Sequence, residues 1–351
     1  MLNIISNEFF KSKNRVSGPI KVFRNLIMGL KKIGYPYVIN GDLEACNKLW
    51  IYNDPAALKK VGDIGKNVKI LLGPGFYFDR CIKKNIKEIL KAKSGQIVCL
   101  QPSDWSKAML QHFGYSYTPV ESWPVGIDTD EFFSRPAAEA DMVLIYFKQR
   151  FSRELDGVTN ILGKKRLNYQ VIYYGKYSED NYKNLLKKAK YIIWVGGTES
   201  QGIAMQEALS MDVPALVWDV KKVGYWPQSP KDIGIFTKEE SDYDKATVAP
   251  YFDDRCGIKF FNADELEEKI SFMEDNYKNF KPREYILENL SLEKQAKDFI
   301  NLYDKYWGLK FEDGYKDKLL SRKKWKNEFL WKNISKIYYF FNSIARGLNG
   351  G

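Results

Sequence analysis

Residues 191–219 read YIIWVGGTESQGIAMQEALSMDVPALVWD. Two short apolar runs flank a glycine-containing loop and a segment of helical character, which predicts the order strand, loop, helix, strand. Glu199 falls in the predicted loop and Glu207 on the predicted helix. Buried strands that alternate with helices are typical of a parallel sheet covered by helices on both faces.

The junction between this loop and helix has the features of a phosphate site. A helix N-terminus presents free backbone N–H groups and the positive end of the helix dipole to an anion. A glycine at the junction also lets a ligand approach the backbone closely. The candidate residues for binding the diphosphate of a ligand here are Ser200, Gln201, Gly202, Ile203 and Ala204.

The two glutamates bracket this junction. A carboxylate in the second helical turn, such as Glu207, can accept hydrogen bonds from the two vicinal hydroxyls of a ribose. Glu199, in the loop, lies nearer the other end of a bound diphosphate. The spacing alone also fits a solvated helix face with a capping carboxylate, since Asp and Glu occupy 44 of the 351 positions.

The same alternation extends over most of the chain. The predicted strands of the first half are 2–5, 37–39, 49–52, 68–72 and 97–100. Those of the second half are 142–147, 171–174, 191–195, 215–218 and 257–261. The predicted helices include one from Pro19 towards Gly34, then 105–113, 179–189, 202–211, 263–273 and 292–306. Pro and Gly in 123–130 interrupt the pattern and predict a hinge.

Taken together, these motifs resemble the retaining GT-B glycosyltransferases of family 4. That family has an E-x7-E signature with a glycine between the glutamates, an alanine after the second, and a proline before the next strand. Glu199, Gly202, Glu207, Ala208 and Pro214 match it, and Asp212, which tolerates a left-handed turn, stands where many members have glycine. The hinge segment WPVGIDTDEF at 123–132 is similar to the interdomain run of the family.

The resemblance implies an α/β fold of GT-B type with a helical C-terminal tail. The implied domains are a Rossmann-like acceptor domain over 1–125 and a Rossmann-like nucleotide-sugar domain over 126–290. A helix over 291–308 would return to the N-terminal domain, and a basic aromatic tail would occupy 309–351.

The resemblance also implies roles for single residues. Glu199, Lys148 and Arg150 become the catalytic candidates, with the two basic residues against the donor diphosphate and Glu199 against hydroxyls of the donor sugar. Arg153 is the alternative to these two basic residues. Glu207 becomes the ribose ligand, and Gly18 belongs to the N-terminal loop that approaches the donor phosphates. Many members carry a histidine near the reacting sugar, whereas the comparable stretch here, LLGPGFY at 71–77, has none.

The implied activity is transfer of a sugar from a nucleotide-diphosphate sugar to a hydroxyl of a glycan or glycoconjugate, with retention of anomeric configuration. The donor is a substrate, and neither a cofactor nor a metal ion is expected. Two D-x-D sequences, 128–130 and 242–244, lack the strand-end setting of a metal-dependent enzyme. The only histidine, His112, is expected to be a packing or surface residue.

The charge of the chain is concentrated near its end. The formal net charge is +11, and residues 314–351 hold nine basic residues against two acidic ones. Aromatic residues are interleaved with these lysines, so the segment could lie in an anionic membrane interface or dock its apolar side on the enzyme. A nucleic-acid partner is not expected, because that would require basic residues spread over a domain face.

The cysteines indicate a reducing compartment. Cys46, Cys81, Cys99 and Cys256 are widely spaced and too few for a disulfide framework, so buried free thiols are expected. No signal-peptide pattern and no apolar stretch of membrane-spanning length is present in the sequence. The expected location is cytoplasmic, and it would be peripheral to a membrane if 314–351 lies in the interface and does not dock on the enzyme. A catalytically silent GT-B module that acts as a scaffold or regulatory subunit is the alternative function.

Overall fold

The computed structural model describes residues 1–10, 17–44, 46–75, 82–133, 140–223 and 237–310. Residues 1–309 belong to one compact unit and 310–351 to a second, of which only Lys310 is described. The predicted tail helix and its membrane contact therefore lie outside the described residues. Among the described residues, none of the helices is long and apolar enough to span a membrane.

The N-terminal domain is built on a six-stranded parallel sheet. Its strands, in chain order, are β1 (Leu2–Ser6), β2 (Tyr37–Ile39), β3 (Lys48–Tyr52), β4 (Lys69–Leu72), β5 (Ile97–Gln101) and β6 (Val120–Ser122). They are arranged β2-β1-β3-β4-β5-β6. Its helices are α1 (Gly18–Lys32), α2 (Pro55–Lys60), α3 (Lys84–Ala92) and α4 (Asp104–His112). All residues of β1, β3 and β5 are buried, as expected for strands covered on both faces.

The C-terminal domain repeats this plan with five parallel strands. They are β7 (Met142–Lys148), β8 (Tyr169–Tyr173), β9 (Ala189–Gly196), β10 (Ala215–Trp218) and β11 (Gly257–Phe260), arranged β11-β10-β9-β7-β8. Its helices are α5 (Ser152–Lys164), α6 (Glu179–Leu186), α7 (Ile203–Ser210), α8 (Lys238–Ser241), α9 (Leu266–Asn276) and α10 (Pro282–Asn289). The strand order reverses between β7 and β9, which is the point where open α/β sheets bind ligands.

The helices and strands predicted from the sequence are present in the structure, with small differences in their first and last residues. The helix predicted over 179–189 ends at Leu186, because Ala189 already pairs with Met142 in the sheet. Asp212 has a positive φ of 64°, so the predicted left-handed turn after α7 is confirmed. Cys46, Cys99 and Cys256 are free and buried as expected, and Cys81 lies outside the described residues.

The chain passes between the two sheets twice, and the two crossings touch. In the first crossing, from the N-terminal to the C-terminal domain, Ile127 N donates to Leu290 O of the second crossing at 2.7 Å. Ile127 also forms a parallel bridge with Ser291. A Cβ on Gly126 would lie 2.7 Å from Ser291 O, so only glycine allows this approach. The hinge segment and the return of the chain are therefore packed backbone against backbone.

The last described helix, α11 (Leu292–Trp307), packs on α1 of the N-terminal domain. The ring of Phe299 on α11 meets Trp50 and Trp123 edge to face, with centroid distances of 5.5 and 4.8 Å. The hydroxyl of Tyr303 donates to Leu49 O at 2.7 Å. This C-terminal helix thus completes the core of the N-terminal domain.

The contact between α1 and α11 predicts a severe effect of one methyl group. A Cβ on Gly29 would lie 2.5 Å from Leu292 O, and that oxygen belongs to backbone that cannot rotate away. We expect Gly29→Ala to lower the free energy of unfolding by about 3 kcal/mol, the upper range for overpacking. Thermal unfolding followed by circular dichroism measures the change.

Gly163→Ala is the matched control. Gly163 lies in α5, and a Cβ added there would have no atom of the described residues within 4 Å. The same substitution at this position should be neutral or stabilise by about 0.5–1 kcal/mol. Equal melting temperatures for the two variants would contradict the close approach of α1 and α11.

Candidate functional site

Helix α7 places Glu207 at the carboxyl edge of the second sheet. The chain leaves β9 at Gly196, passes through the loop 197–202 and enters α7 through Gly202, whose φ of 82° is left-handed. A side chain at 202 would be strained in that conformation. The tight turn leaves the amides of Ile203 and Ala204 in the first helical turn, which is the predicted phosphate position.

Glu207 is almost completely buried and meets a lysine from the other domain. Lys21, in the first turn of α1, donates a hydrogen bond to Oε1 of Glu207, and its Nζ also lies 2.8 Å from Oε1 of Glu179 at the start of α6. The side chain of Glu207 is 3% exposed and that of Lys21 is 16% exposed. Lys21 therefore connects the N-terminal domain to two carboxylates of the C-terminal domain.

The second oxygen of Glu207 is not satisfied. Oε2 is buried and has no hydrogen-bond partner among the described residues. Burial raises the pKa of Glu207 to about 7, although the neighbouring Lys21 ammonium lowers it. Buried carboxylate oxygens are normally hydrogen-bonded, so an unpaired one indicates a missing O–H or N–H donor.

Glu199 is held at three points. Its carboxylate accepts a hydrogen bond from Lys148 Nζ at 2.7 Å, its N–H donates to Thr247 O at 3.1 Å, and its carbonyl accepts from Trp105 Nε1 at 3.0 Å. Lys148 ends β7, whereas Trp105 lies on α4 of the N-terminal domain. Both domains therefore position Glu199. The ammonium of Lys148 also lies 4.3 Å from the ring centroid of the exposed Tyr174.

A buried carboxylate fixes the loop that holds Glu199. Asp219, directly after β10, accepts hydrogen bonds from Val248 N and from the hydroxyl of Thr247, both at 2.7 Å. Lys259 Nζ lies 3.2 Å from the same carboxylate. Asp219 thereby positions Thr247, and through it the backbone of Glu199.

Arg150 does not face the same space as Lys148. Its side chain is 1% exposed and forms a bidentate pair with Glu154 at 2.6 and 3.0 Å. It also donates to the carbonyls of Gly196 and Trp218, both at 3.1 Å. The guanidinium thus ties together the ends of β9, β10 and the start of α5, which argues against the predicted contact with a diphosphate.

The remaining predicted residues divide between backbone and scaffold roles. Ser200 is partly buried in the loop before α7. Gln201 is buried, and its side-chain amide pairs with both the N–H and the carbonyl of Val125, at 3.1 and 2.8 Å. Its side chain therefore anchors α7 to the interdomain crossing. Gly18 is exposed at the start of α1, one turn before Lys21.

Solved structures reproduce this architecture, although neither a family model nor a curated protein sequence matches the chain. Sucrose-phosphate synthase from Thermosynechococcus elongatus superposes with a TM-score of 0.56 and 11% identity, covering 88% of this chain and 99% of its own. The apo lipopolysaccharide outer core galactosyltransferase WaaB gives 0.52 and 12%, covering 87% and 99%. Anabaena HepE in complex with UDP gives 0.51 and 8%, covering 87% and 99%.

The chain has the GT-B fold. The prediction of two facing Rossmann-like domains is therefore confirmed. Residues that follow strands of one sheet contact residues that follow strands of the other, as Trp105 does with Glu199. The carboxyl edges of the two sheets of this GT-B fold thus meet across a shared cleft.

Sequence reasoning did not identify Lys21, Trp105 or Asp219 as residues of the site. Lys21 and Trp105 contact the second domain across the cleft, and a single sequence carries no signal for such pairs. Asp219 directly follows a predicted strand, a position that can indicate a site residue in a parallel sheet. His112 is exposed at the end of α4, and its ring lies 4.9 Å from that of Phe113, which agrees with the expected packing or surface role.

The placement of Arg150 predicts a stability defect. Arg150→Met would leave Glu154, which is 6% exposed, as a buried carboxylate without its bidentate partner. Loss of one member of such a pair costs about 3–5 kcal/mol. We expect a large drop in the thermal unfolding midpoint.

The control is Arg153→Met, because Arg153 is exposed on α5 and its guanidinium lies over the Phe151 ring. That variant should melt within about 1 °C of the wild type, as surface substitutions usually do. If Arg150→Met melted with the wild type, the structural role of Arg150 would be wrong.

Proposed function

We propose that the protein is a retaining glycosyltransferase that moves a sugar from a nucleotide-diphosphate sugar to an acceptor hydroxyl. The observation that carries this proposal is the buried, half-satisfied carboxylate of Glu207 beside the start of α7. An unpaired carboxylate oxygen fits a ribose hydroxyl, and the amides of Ile203 and Ala204 fit an adjacent phosphate.

The donor would extend from Glu207 towards Glu199. Lys148 is the last residue of β7 and Glu199 follows β9, so the two flank the position where the strand order reverses. In the proposed complex Lys148 neutralises charge on the diphosphate, and Glu199 accepts hydrogen bonds from hydroxyls of the donor sugar. The contact of Lys148 with Glu199 at 2.7 Å keeps both side chains at this position before a donor arrives.

The chemical step requires stabilisation of the negative charge that develops on the leaving phosphate. Lys148 and the α7 amides would supply preorganised positive charge for it. The acceptor hydroxyl would attack the anomeric carbon from the side of the leaving group, with Glu199 as a sugar ligand and not a nucleophile. Closure of the two domains would bring donor and acceptor together.

Similar solved structures support the choice of donor class. HepE is described in complexes with UDP and with UDP-glucose, at TM-scores of 0.51 and 0.50. WaaB is a galactosyltransferase and the Thermosynechococcus protein a sucrose-phosphate synthase. By extension, we take the donor here to be a nucleotide sugar and the acceptor to be a glycan or glycoconjugate.

A panel of UDP-, GDP- and ADP-sugars tests the proposal first by thermal shift, because a ligand that binds only the native state raises its melting temperature. Release of nucleoside diphosphate then measures transfer or hydrolysis. We expect activity to persist after EDTA treatment, since the proposed site draws its positive charge from Lys148 and backbone amides. No response to any donor would leave the catalytically silent module as the better description.

Substitution of the two glutamates should affect different steps, donor binding for Glu207 and turnover for Glu199. We expect Glu207→Gln to weaken donor binding by about 10–100-fold, because hydrogen bonds to a charged acceptor contribute about 1.5–3 kcal/mol. Glu199→Gln should lower turnover by about 100-fold through misplacement of the sugar, with a smaller effect on binding of the diphosphate alone.

Isothermal titration and steady-state kinetics measure both effects. Glu267→Gln is a control on the exposed face of α9, where the carboxylate is 65% exposed. Full activity of the Glu199→Ala and Glu207→Ala variants would refute the proposed function.

A further inference from the structure

Lys21 is a partly buried charge that has no role in the proposed transfer reaction as described above. It projects from the first turn of α1 into the C-terminal domain, where its ammonium meets Glu207 and Glu179 and lies 5.5 Å from the ring centroid of Phe132. Burial would lower the pKa of Lys21, but the attraction of the two carboxylates outweighs this and raises it. Lys21 therefore remains an ammonium ion at neutral pH.

The two oxygens of Glu207 are in different situations. Oε1 accepts a hydrogen bond from Lys21, whereas Oε2 is buried without a partner in the described part of the chain. A carboxylate held by one oxygen has its plane and direction fixed, because rotation would break the contact with the ammonium. The second oxygen then has a defined orientation for an incoming hydroxyl.

We infer that Lys21 is a positioning residue for donor binding, which holds Glu207 through Oε1 and leaves Oε2 to accept a hydrogen bond from a ribose hydroxyl. This inference rests on the proposed function. It adds a charged residue of the N-terminal domain to a nucleotide site whose other proposed contacts, apart from Gly18, belong to the C-terminal domain. Recognition of the ribose then depends on contact between the domains.

The surroundings of Glu207 make its ionisation sensitive to this one cation. Without Lys21, the carboxylates of Glu179 and Glu131 would still act on Glu207 and favour its protonated form. The titratable groups around it include Lys21 on α1, Glu131 after the hinge, Tyr177, and Glu179 and Tyr182 on α6, and Lys183 Nζ in turn lies 2.9 Å from Glu131. A protonated Glu207 would lose an acceptor for the ribose.

The direction of the pH effect follows. In the wild type, affinity for the donor nucleotide should fall as the pH drops through about 7, the pKa of Glu207. Removal of Lys21 raises that pKa further, so the loss of affinity should begin at higher pH. An opposite charge at contact distance moves a carboxylate pKa by about 1–3 units, which sets the expected displacement at about 1 pH unit or more.

The experiment measures nucleotide affinity by isothermal titration from pH 6 to pH 9. The probe is the nucleoside diphosphate that gives the largest thermal shift among UDP, GDP and ADP, together with its 2′-deoxy counterpart. We expect Lys21→Met to bind the ribose form about tenfold more weakly at pH 7, and to discriminate less between the ribose and deoxyribose forms.

Three further variants make the result specific. Lys21→Gln keeps a hydrogen-bond donor without the charge and should show the same displacement of the pH profile. Glu207→Gln removes the titrating group, so the affinity of this variant for the nucleotide should not fall near pH 7. Adding Lys21→Met to Glu207→Gln in a double variant should then change the affinity little. Arg24→Met, at an exposed position of the same helix, should match the wild type.

The outcomes separate this inference from the proposed function. A wild type that binds none of the three nucleotides would overturn both. If the wild type binds a nucleotide and both Lys21→Met and Lys21→Gln keep its affinity and pH profile, only the positioning role of Lys21 is overturned. If Lys21→Met does not fold, the profile of Lys21→Gln alone decides between the two results.

Discussion

The arrangement of the two domains depends on how closely backbone approaches backbone at Ser291 and Leu292. Two glycines that are far apart in sequence lie against this short segment, Gly29 from α1 and Gly126 from the first interdomain crossing. Each leaves room for a main-chain oxygen where a Cβ would collide. The position of α1 is fixed by this contact, and α1 in turn carries Lys21 to Glu207. The proposed contact of Glu207 with a donor is thus coupled to packing at the opposite end of the same helix.

The sequence predicted what is encoded locally. Apolar runs and turn residues located every strand of the second sheet to within a few residues, and Gly202 marked the entry to α7. Asp212 was correctly identified as a left-handed residue. The short strand β6 and the helices α2, α3, α5, α8 and α10 were not predicted individually. Segments as short as β6, α2 and α8 carry weak periodicity and depend on tertiary packing. Helix α5 is different, because its buried Leu155, Val158 and Leu162 recur at helical spacing that the sequence does show.

The contacts of the site residues could not be predicted from local sequence. The family resemblance implied that Lys148 and Arg150 act together on the diphosphate, yet their side chains have different partners. Lys148 meets Glu199, while Arg150 is committed to Glu154 and two carbonyls. Conversely, Lys21 is one of many lysines in the sequence, and only the fold brings it to Glu207. Charges that pair across domains cannot be found from spacing.

The docking of α11 has a consequence for how the chain is made. Phe299 and Tyr303 fill the N-terminal core against Trp50 and Leu49, although some 250 residues separate them in sequence. During synthesis the first domain emerges long before this helix does, and its apolar face stays uncovered in the interval. The N-terminal domain therefore completes its core only after the C-terminal domain has been translated.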